Sequence, residues 1–314
     1  MLPGKLLLPL LFLALASAAS QTIALPDNGH AIQLGEDGKI NQTFIANTDY
    51  MYCFLTFTVV PGDQNCSDNA DIVVAAPDSR AVFSLKQHYG KEAWVSYGQF
   101  LGRWDEEEPI NLVIQSQTAE SNSSSVCWPV IDNLLLKSIP KLIQGNSNLL
   151  LNEGFEYGPE FPSNSTDGIL IDPAQSPVQS PLQEWSVLGT MKFINSKHFF
   201  VPHGNAAIEL LLVAPTGIQT AASLTEGSTY DLGFKLGDAN NSCAGDFVVA
   251  ARAGSTLQNF TLLSNGTGSS KEFLMKFRAD SGLTLISFQI YTTSQTKDGA
   301  LFDIGFAPLR SWID

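Results

Sequence analysis

Ile286-Ser287-Phe288-Gln289-Ile290 alternates apolar with polar residues, and upstream Phe273, Met275 and Phe277 fall on alternate positions against Leu274, Lys276 and Arg278. A period of two sends successive side chains to opposite faces of an extended chain, so each stretch reads as a half-buried strand. Helical spacing of apolar residues is weak beyond the first twenty residues. Short strand candidates instead recur roughly every 8–12 residues, separated by Gly, Asn, Asp and Pro. That pattern favours an all-β fold over alternating α/β units, and a double-sheet jelly roll fits it best.

The strand pattern occurs twice. Pro26-Asp27-Asn28-Gly29-His30-Ala31-Ile32-Gln33-Leu34 matches Pro202-His203-Gly204-Asn205-Ala206-Ala207-Ile208-Glu209-Leu210, and Ile40-Asn41-Gln42-Thr43 answers Gly217-Ile218-Gln219-Thr220. Tyr52 then answers Tyr230, and Gly62-Asp63 followed by Cys66 answers Gly237-Asp238 followed by Cys243. Asp71-Ile72-Val73-Val74-Ala75-Ala76 answers Asp246-Phe247-Val248-Val249-Ala250-Ala251, and Val130-Ile131-Asp132 answers Leu301-Phe302-Asp303. Collinear blocks of this kind predict two homologous β-sandwich domains, 21–141 and 142–314, joined where Pro140, Gly145 and Asn146 break the pattern. The second copy has about fifty residues ahead of its Pro202, whereas only Gln21 to Leu25 would precede Pro26 once an export signal is removed. The first copy is thus expected to lack its opening strands; a misplaced gene start would give the same truncation.

Composition narrows the function. The 314 residues carry 17 Lys+Arg against 31 Asp+Glu, a net charge of −14, with no basic patch, which removes the electrostatic term nucleic-acid binding depends on. With 44% hydrophobic and 10% aromatic residues the chain is neither disordered nor collagenous. Residues 1–20, with Lys5, the apolar run Leu6 to Leu13 and the Ala16-Ser17-Ala18 cleavage pattern, read as a secretory signal peptide. No later stretch is apolar for the ~18 residues a membrane span requires, and the C-terminus shows neither a lipid-anchor tail nor a retention signal, so export is expected. Export gives meaning to the Asn-x-Ser/Thr sequons at Asn41, Asn122, Asn164, Asn240, Asn259 and Asn265; at Asn65 the middle residue is Cys66, whose pairing would compete with glycosylation.

Secretion also permits disulfides, and the four cysteines at 53, 66, 127 and 243 allow three full pairings. In the repeat Cys66 is equivalent to Cys243, but Cys127 aligns with Asp298, so the second copy offers Cys243 no partner. Cys66–Cys127 is the expected bond, closing a loop of about sixty residues and contributing on the order of 4 kcal/mol. Cys53, within Tyr52-Cys53-Phe54-Leu55, reads as a buried free thiol; Cys243 either pairs with it across domains or stays reduced.

Common catalytic signatures are absent: no phosphate-binding loop, no His-Glu-x-x-His and no Gly-x-Ser-x-Gly. The histidines at 30, 88, 198 and 203 are scattered, although His198 and His203 could share a loop. Asp105-Glu106-Glu107-Glu108, ending at Pro109, reads as a solvated turn and does not supply two carboxyls opposed across a sugar. Asp132 and Asp303, and Asp63 and Asp238, recur in both copies and suit turn capping; their oxygens would also suit a structural calcium ion, which no motif demands, and no cofactor is expected. Among the tryptophans, Trp185 reads as core, while Trp94 and Trp104, near the polar stretch Lys91 to Asp105, are candidate sugar-binding rings.

Asn148-Leu149-Leu150-Leu151-Asn152-Glu153-Gly154-Phe155-Glu156, Ser180-Pro181-Leu182-Gln183-Glu184-Trp185, and Phe193-Ile194-Asn195-Ser196-Lys197-His198-Phe199-Phe200-Val201-Pro202 form three distinctive segments. They resemble a plant cell-wall family, the extracellular proteins with tandem copies of "domain of unknown function 642", related to galactose-binding-like jelly rolls. Ala207-Ile208-Glu209-Leu210, Gly237-Asp238-Ala239-Asn240-Asn241-Ser242-Cys243 and Cys127-Trp128-Pro129-Val130-Ile131-Asp132 extend the similarity over nearly the whole mature chain. The first copy departs from the family in lacking its Asn-Gly-x-Phe-Glu opening and Pro-x-x-Trp strand; the second has Asp298-Gly299 where a Cys is usual. The resemblance implies a non-enzymatic apoplastic protein that binds wall polysaccharide and modulates wall enzymes such as pectin methylesterase. A lectin-like module acting by sugar binding alone is the alternative. At −14 the chain would be repelled by polygalacturonate and attracted to basic wall enzymes or neutral sugar faces.

Overall fold

The computed structural model describes residues 29–46, 51–60, 68–85, 94–105, 107–117, 126–143, 148–163, 166–171, 180–211, 216–239, 244–291, 304–307 and 311–312. The expected signal peptide, Cys66, Cys243, His88, Asp63, Asp303 and the sequons at Asn65, Asn122, Asn164 and Asn240 lie outside the described residues. No helix among the described residues is long and apolar enough to cross a membrane.

The chain divides into two compact units, Met1–Lys141 with Pro159–Ile169, and Leu142–Gly158 with Leu170–Asp314. The first unit contains β1 (Ile32–Gln33), β2 (Lys39–Ile45), β3 (Met51–Val60), β4 (Asp68–Asn69), β5 (Asp71–Ala76), β6 (Ser79–Phe83), β7 (Val95–Trp104), β8 (Pro109–Gln117), β9 (Val126–Cys127) and β10 (Val130–Pro140). Antiparallel pairing gives the orders β1-β10-β3-β7 and β2-β8-β5-β6, and β4 pairs with β9 in parallel. Their inner faces interlock through aromatic rings. Phe57 on β3 meets Phe83 on β6 edge-on at 4.9 Å, Tyr97 on β7 lies 5.0 Å from Phe83, and Phe44 on β2 meets Trp104 on β7 at 6.5 Å. Two sheets sharing one aromatic core make a β-sandwich.

β11 (Ile169–Ile171) follows. The second unit is built from β12 (Ser186–Leu188), β13 (Met191–Asn195), β14 (Ala206–Leu210), β15 (Gly217–Ser223), β16 (Thr229–Asp238), β17 (Ala244–Ala253), β18 (Thr256–Asn265), β19 (Ser270–Arg278), β20 (Leu283–Tyr291), β21 (Ile304–Ala307) and β22 (Ser311–Trp312). One sheet runs β13-β14-β21-β16-β19, with β22 also on β16, and the other β12-β15-β20-β17-β18. Phe234 on β16 sits between them, 4.9 Å from Phe260 and 5.0 Å from Phe288. The alternation that opens the sequence reading is explained here: Ile286, Phe288 and Ile290 are buried, as are Met275 and Phe277.

The two units share one wiring. The order β1-β10-β3-β7 corresponds to β14-β21-β16-β19, and β2-β8-β5-β6 to β15-β20-β17-β18. Of the strands left over in the second unit, β12 and β13 precede the shared order and β22 follows it on β16, and no described strand of the first unit corresponds to β12 or β13. The division expected at 141/142 needs one correction, because Pro159–Ile169 belongs to the first unit. The physical reason lies on β3 and β7, where Thr56 faces Gly98 and Thr58 faces Ser96. These small residues leave room for a covering segment: a Cβ on Gly98 would come within 2.8 Å of Pro159 Cγ and 3.2 Å of Ile169 Cγ2. Lys137 Nζ adds an ion pair to Glu160 at 3.5 Å.

Candidate functional site

The conspicuous motifs turn out to hold turns. Asn152 is buried, with φ of 49°, a conformation Asn tolerates better than most residues. Its Nδ2 donates to Tyr157 O at 2.8 Å and Gln183 O at 3.0 Å, and its Oδ1 accepts from Tyr157 N at 3.0 Å. Trp185 Nε1 donates to Leu151 O and Asn152 O at 3.1 and 3.2 Å, while its ring packs on Phe155 and Phe288. Glu156 accepts from Asn205 N at 2.6 Å, Asn205 Nδ2 at 3.3 Å and Ala206 N at 3.4 Å, fixing the entry to β14. Gly204 beside it has φ of 76°, and a Cβ there would strike Glu156 Oε1.

Asp238, in the Gly237-Asp238 block, is fully buried at the end of β16. Its carboxylate accepts from Gly268 N at 2.5 Å, Ser264 Oγ and Ser269 Oγ at 2.9 Å, and Ser269 N at 3.1 Å. Burial alone would raise its pKa, but these donors outweigh it and hold the carboxyl below its ordinary value. Asp132 does related work at the β-bulge of β10, accepting from Asn133 N at 2.7 Å, where Asn133 has φ of 51°.

Among the other sequence candidates, Asp105, Glu107 and Glu108 are exposed in a turn tied by hydrogen bonds between Glu107 N and Ala46 O and between Ala46 N and Glu108 O. His198 and His203 are both exposed. No three His, Cys, Asp or Glu side chains converge as a metal site among the described residues. Cys127 is disulfide-bonded, whereas Cys53 is free and buried. The parallel pairing Asn69↔Cys127 brings the chain just after Cys66 alongside Cys127.

Trp104 requires a correction. It is only 3% exposed, edge-on to Phe44, and covers Gly102 so closely that a Cβ there would lie 2.5 Å from its Cζ2. A ring spent on the core cannot stack on a sugar. Trp94 is half-buried just before β7.

The arrangement best suited to contact an extended ligand was not named among the sequence candidates. Because Phe247, Val249, Ile218, Phe288 and Phe260 face the core, the intervening residues of β15, β17, β18 and β20 face outward. In register across five strands stand Ser186, Gln219, Ser287, Arg252 and Leu257, of which Arg252 and Leu257 are exposed, Ser186 and Gln219 half-buried, and Ser287 buried. The adjacent row is Leu188, Gly217, Gln289, Ala250 and Asn259, with Gly217 and Ala250 buried, Leu188 and Gln289 half-buried and Asn259 exposed. Further along, Leu283 and Leu285 are 66% and 46% exposed. The row spans about 19 Å at the usual strand spacing. It offers amide, hydroxyl and guanidinium groups beside aliphatic side chains, and carries no paired acid and base.

The family model described as "Protein of unknown function (DUF642)" matches residues 15–137 and 148–302. The Arabidopsis thaliana protein DUF642 L-GALACTONO-1,4-LACTONE-RESPONSIVE GENE 2 is 33% identical over 269 residues, covering 85% of this chain and 70% of that protein. Protein TEEBE of Arabidopsis thaliana is 30% identical over 267 residues, covering 84% and 70%. Among solved structures, TmCBM61 in complex with beta-1,4-galactotriose is similar at 15% identity and a TM-score of 0.34, covering 53% of this chain and 99% of that one. Two tandem matches to the family, and relatives of this identity along most of its length, show that the chain belongs to the DUF642 family.

Proposed function

We propose that this chain is a secreted, non-enzymatic plant cell-wall protein that binds wall polysaccharide and engages basic wall enzymes such as pectin methylesterase. The observation that carries the reading is the outward row in which Ser186, Gln219, Arg252 and Leu257 reach the surface in register. A strand face bearing several donors and acceptors beside leucines suits a polymer that lies across it, with hydroxyls to bond and C–H faces to cover. Trp94 is retained as a proposed contact in the first unit. The enzyme arm rests on charge, since −14 favours a basic partner by steering.

Retention on insoluble neutral wall polysaccharide tests the first arm. Gln219→Ala with Arg252→Ala removes two bonding groups from the row, and each lost hydrogen bond of about 1 kcal/mol weakens binding roughly five-fold. Wild-type retention by the double variant overturns the placement. A pull-down of basic esterase at low salt that fails at high salt supports the second arm. If polysaccharide retention persists and no esterase is recovered at either salt, the protein acts by sugar binding alone.

A further inference from the structure

The sequons of the described residues all fall on edge strands, with their asparagines turned outward. β2 ends the order β2-β8-β5-β6, and its alternation exposes Lys39, Asn41, Thr43 and Ile45. β18 ends the order β12-β15-β20-β17-β18, exposing Leu257, Asn259, Thr261, Leu263 and Asn265 while Phe260, Leu262 and Ser264 are buried. Within a strand, Asn and the hydroxyl residue two positions on share a face, so each sequon there presents both groups to solvent. Asn265 instead opens a turn, its Oδ1 accepting from Thr267 Oγ1 at 2.7 Å and Thr267 N at 3.2 Å.

The same faces carry exposed aliphatic side chains: Ile45 at 63%, Leu257 at 56% and Leu263 at 76%. An unpaired strand edge with exposed aliphatics is a template for association, and soluble proteins blunt such edges with charge or proline. β19, the edge of the other sheet in this unit, follows that rule with Lys271, Glu272, Lys276 and Arg278. β18 reads Thr-Leu-Gln-Asn-Phe-Thr-Leu-Leu-Ser-Asn and contains no charged residue and no proline. β2 has only Lys39, at its start.

We propose that N-linked glycans on Asn41, Asn259 and Asn265 protect these two edges, replacing the charges they lack. Asn259 and Asn265 stand about 20 Å apart along β18, on either side of Leu263. Asn259 ends the second outward row, so a glycan there covers the β18 end of that face and leaves ligand to lie over β12, β15, β20 and β17. The inference needs passage through the secretory pathway but does not depend on what the row binds.

The test uses the full chain secreted from plant or insect cells. An amidase that converts each glycosylated Asn to Asp, followed by peptide mapping, reads occupancy site by site; all three are expected to be occupied. Association is then followed by size-exclusion chromatography with light scattering, on protein trimmed to single sugar residues after folding and on the Asn41→Gln/Asn259→Gln/Asn265→Gln variant. Both are expected to move from monomer to concentration-dependent aggregate with the far-ultraviolet β signal retained. Adding Ile45→Lys, Leu257→Lys and Leu263→Lys, which charge both edges, is expected to restore the monomer. The proposal is overturned by empty sequons on the purified chain, by trimmed protein as monodisperse as wild type, or by aggregation that the lysines leave unchanged. If the Gln variant does not fold, the trimmed protein alone decides.

Discussion

Replacing Asp238 by Ala removes the acceptor around which the Gly266 to Ser269 turn closes. The side chain is 0% exposed and receives two backbone amides, Gly268 N and Ser269 N, besides the Ser264 and Ser269 hydroxyls. The hydroxyls can rotate toward other acceptors, but the amides are fixed by the turn, and each buried orphan costs about 1–3 kcal/mol. Asp238→Ala should therefore destabilise the second unit by about 4 kcal/mol, the middle of the range for two amides. At a urea m-value of about 2 kcal/mol/M, the midpoint falls by about 2 M. Tryptophan fluorescence suits the measurement because Trp185, buried against Phe155 and Phe288, belongs to this unit. The pH dependence has a definite sign. A folded-state pKa held below the ordinary value means the contribution is complete above the unfolded pKa of about 3.9 and fades as pH falls through the folded one. Wild type should thus lose stability on acidification below about pH 4, and Asp238→Asn, which cannot titrate, should show a flatter acid limb from a lower starting point. A midpoint for Asp238→Ala within ~0.3 M of wild type would refute the reasoning.

Trp104→Ala should cost about 3–5 kcal/mol by emptying core volume while leaving polysaccharide retention intact wherever the protein is folded; lost retention at unchanged stability would return Trp104 to the binding face. Gly98→Val pushes a side chain against Pro159 and Ile169 and should cost about 1–3 kcal/mol, with faster limited proteolysis between 159 and 169 read by mass spectrometry. Equal proteolysis in wild type and variant would contradict the packing of that segment in the first unit. Burial pushes the Cys53 thiol up to about 11 against the opposing hydrogen bond with Ser138. Cys53 should accordingly resist thiol reagents at pH 8 in the native protein and react only on unfolding in urea; reaction at the rate of a free cysteine would show it accessible.

Period-two patterning revealed which faces are buried, and duplication revealed that the wiring occurs twice. What the blocks could not fix was register. The Asp71 and Asp246 blocks do align face for face, with Ile72 and Val74 buried like Phe247 and Val249. Tyr52 and Tyr230 do not: Tyr52 packs with Phe54, Phe100 and Ile139, whereas Tyr230 stacks on Phe277, which is buried with Met275. Gln42 likewise faces inward on β2 while Gln219 faces outward on β15. In a strand an offset of one residue exchanges the faces, so identity of letters at a fixed spacing does not guarantee identity of environment. The outward row was illegible for a related reason. Its members lie on strands scattered from Ser186 to Ser287, and only the pairing registers bring them into line. Trp104 misled because a polar neighbourhood in sequence says little about the direction of one side chain in a strand whose alternate residues are buried.

The segments that make the family recognisable do a different job from the row proposed to bind. Asn152 serves a turn that needs a positive φ with both a donor and an acceptor, Glu156 needs reach to cap Asn205 and Ala206, and Asp238 needs two oxygens for four donors. Each demand excludes nearly every other residue type, because the penalty for failure is an orphaned polar group or a strained backbone. Gln219 and Arg252 stand on the outward side of the sheet, where most side chains are accepted at small cost to stability. Family membership therefore constrains the sandwich much more tightly than the ligand. A relative that keeps Asn152, Glu156 and Asp238 is free to present a different row, so under the proposed function the residue aligned with Arg252 should report on ligand choice better than overall identity does.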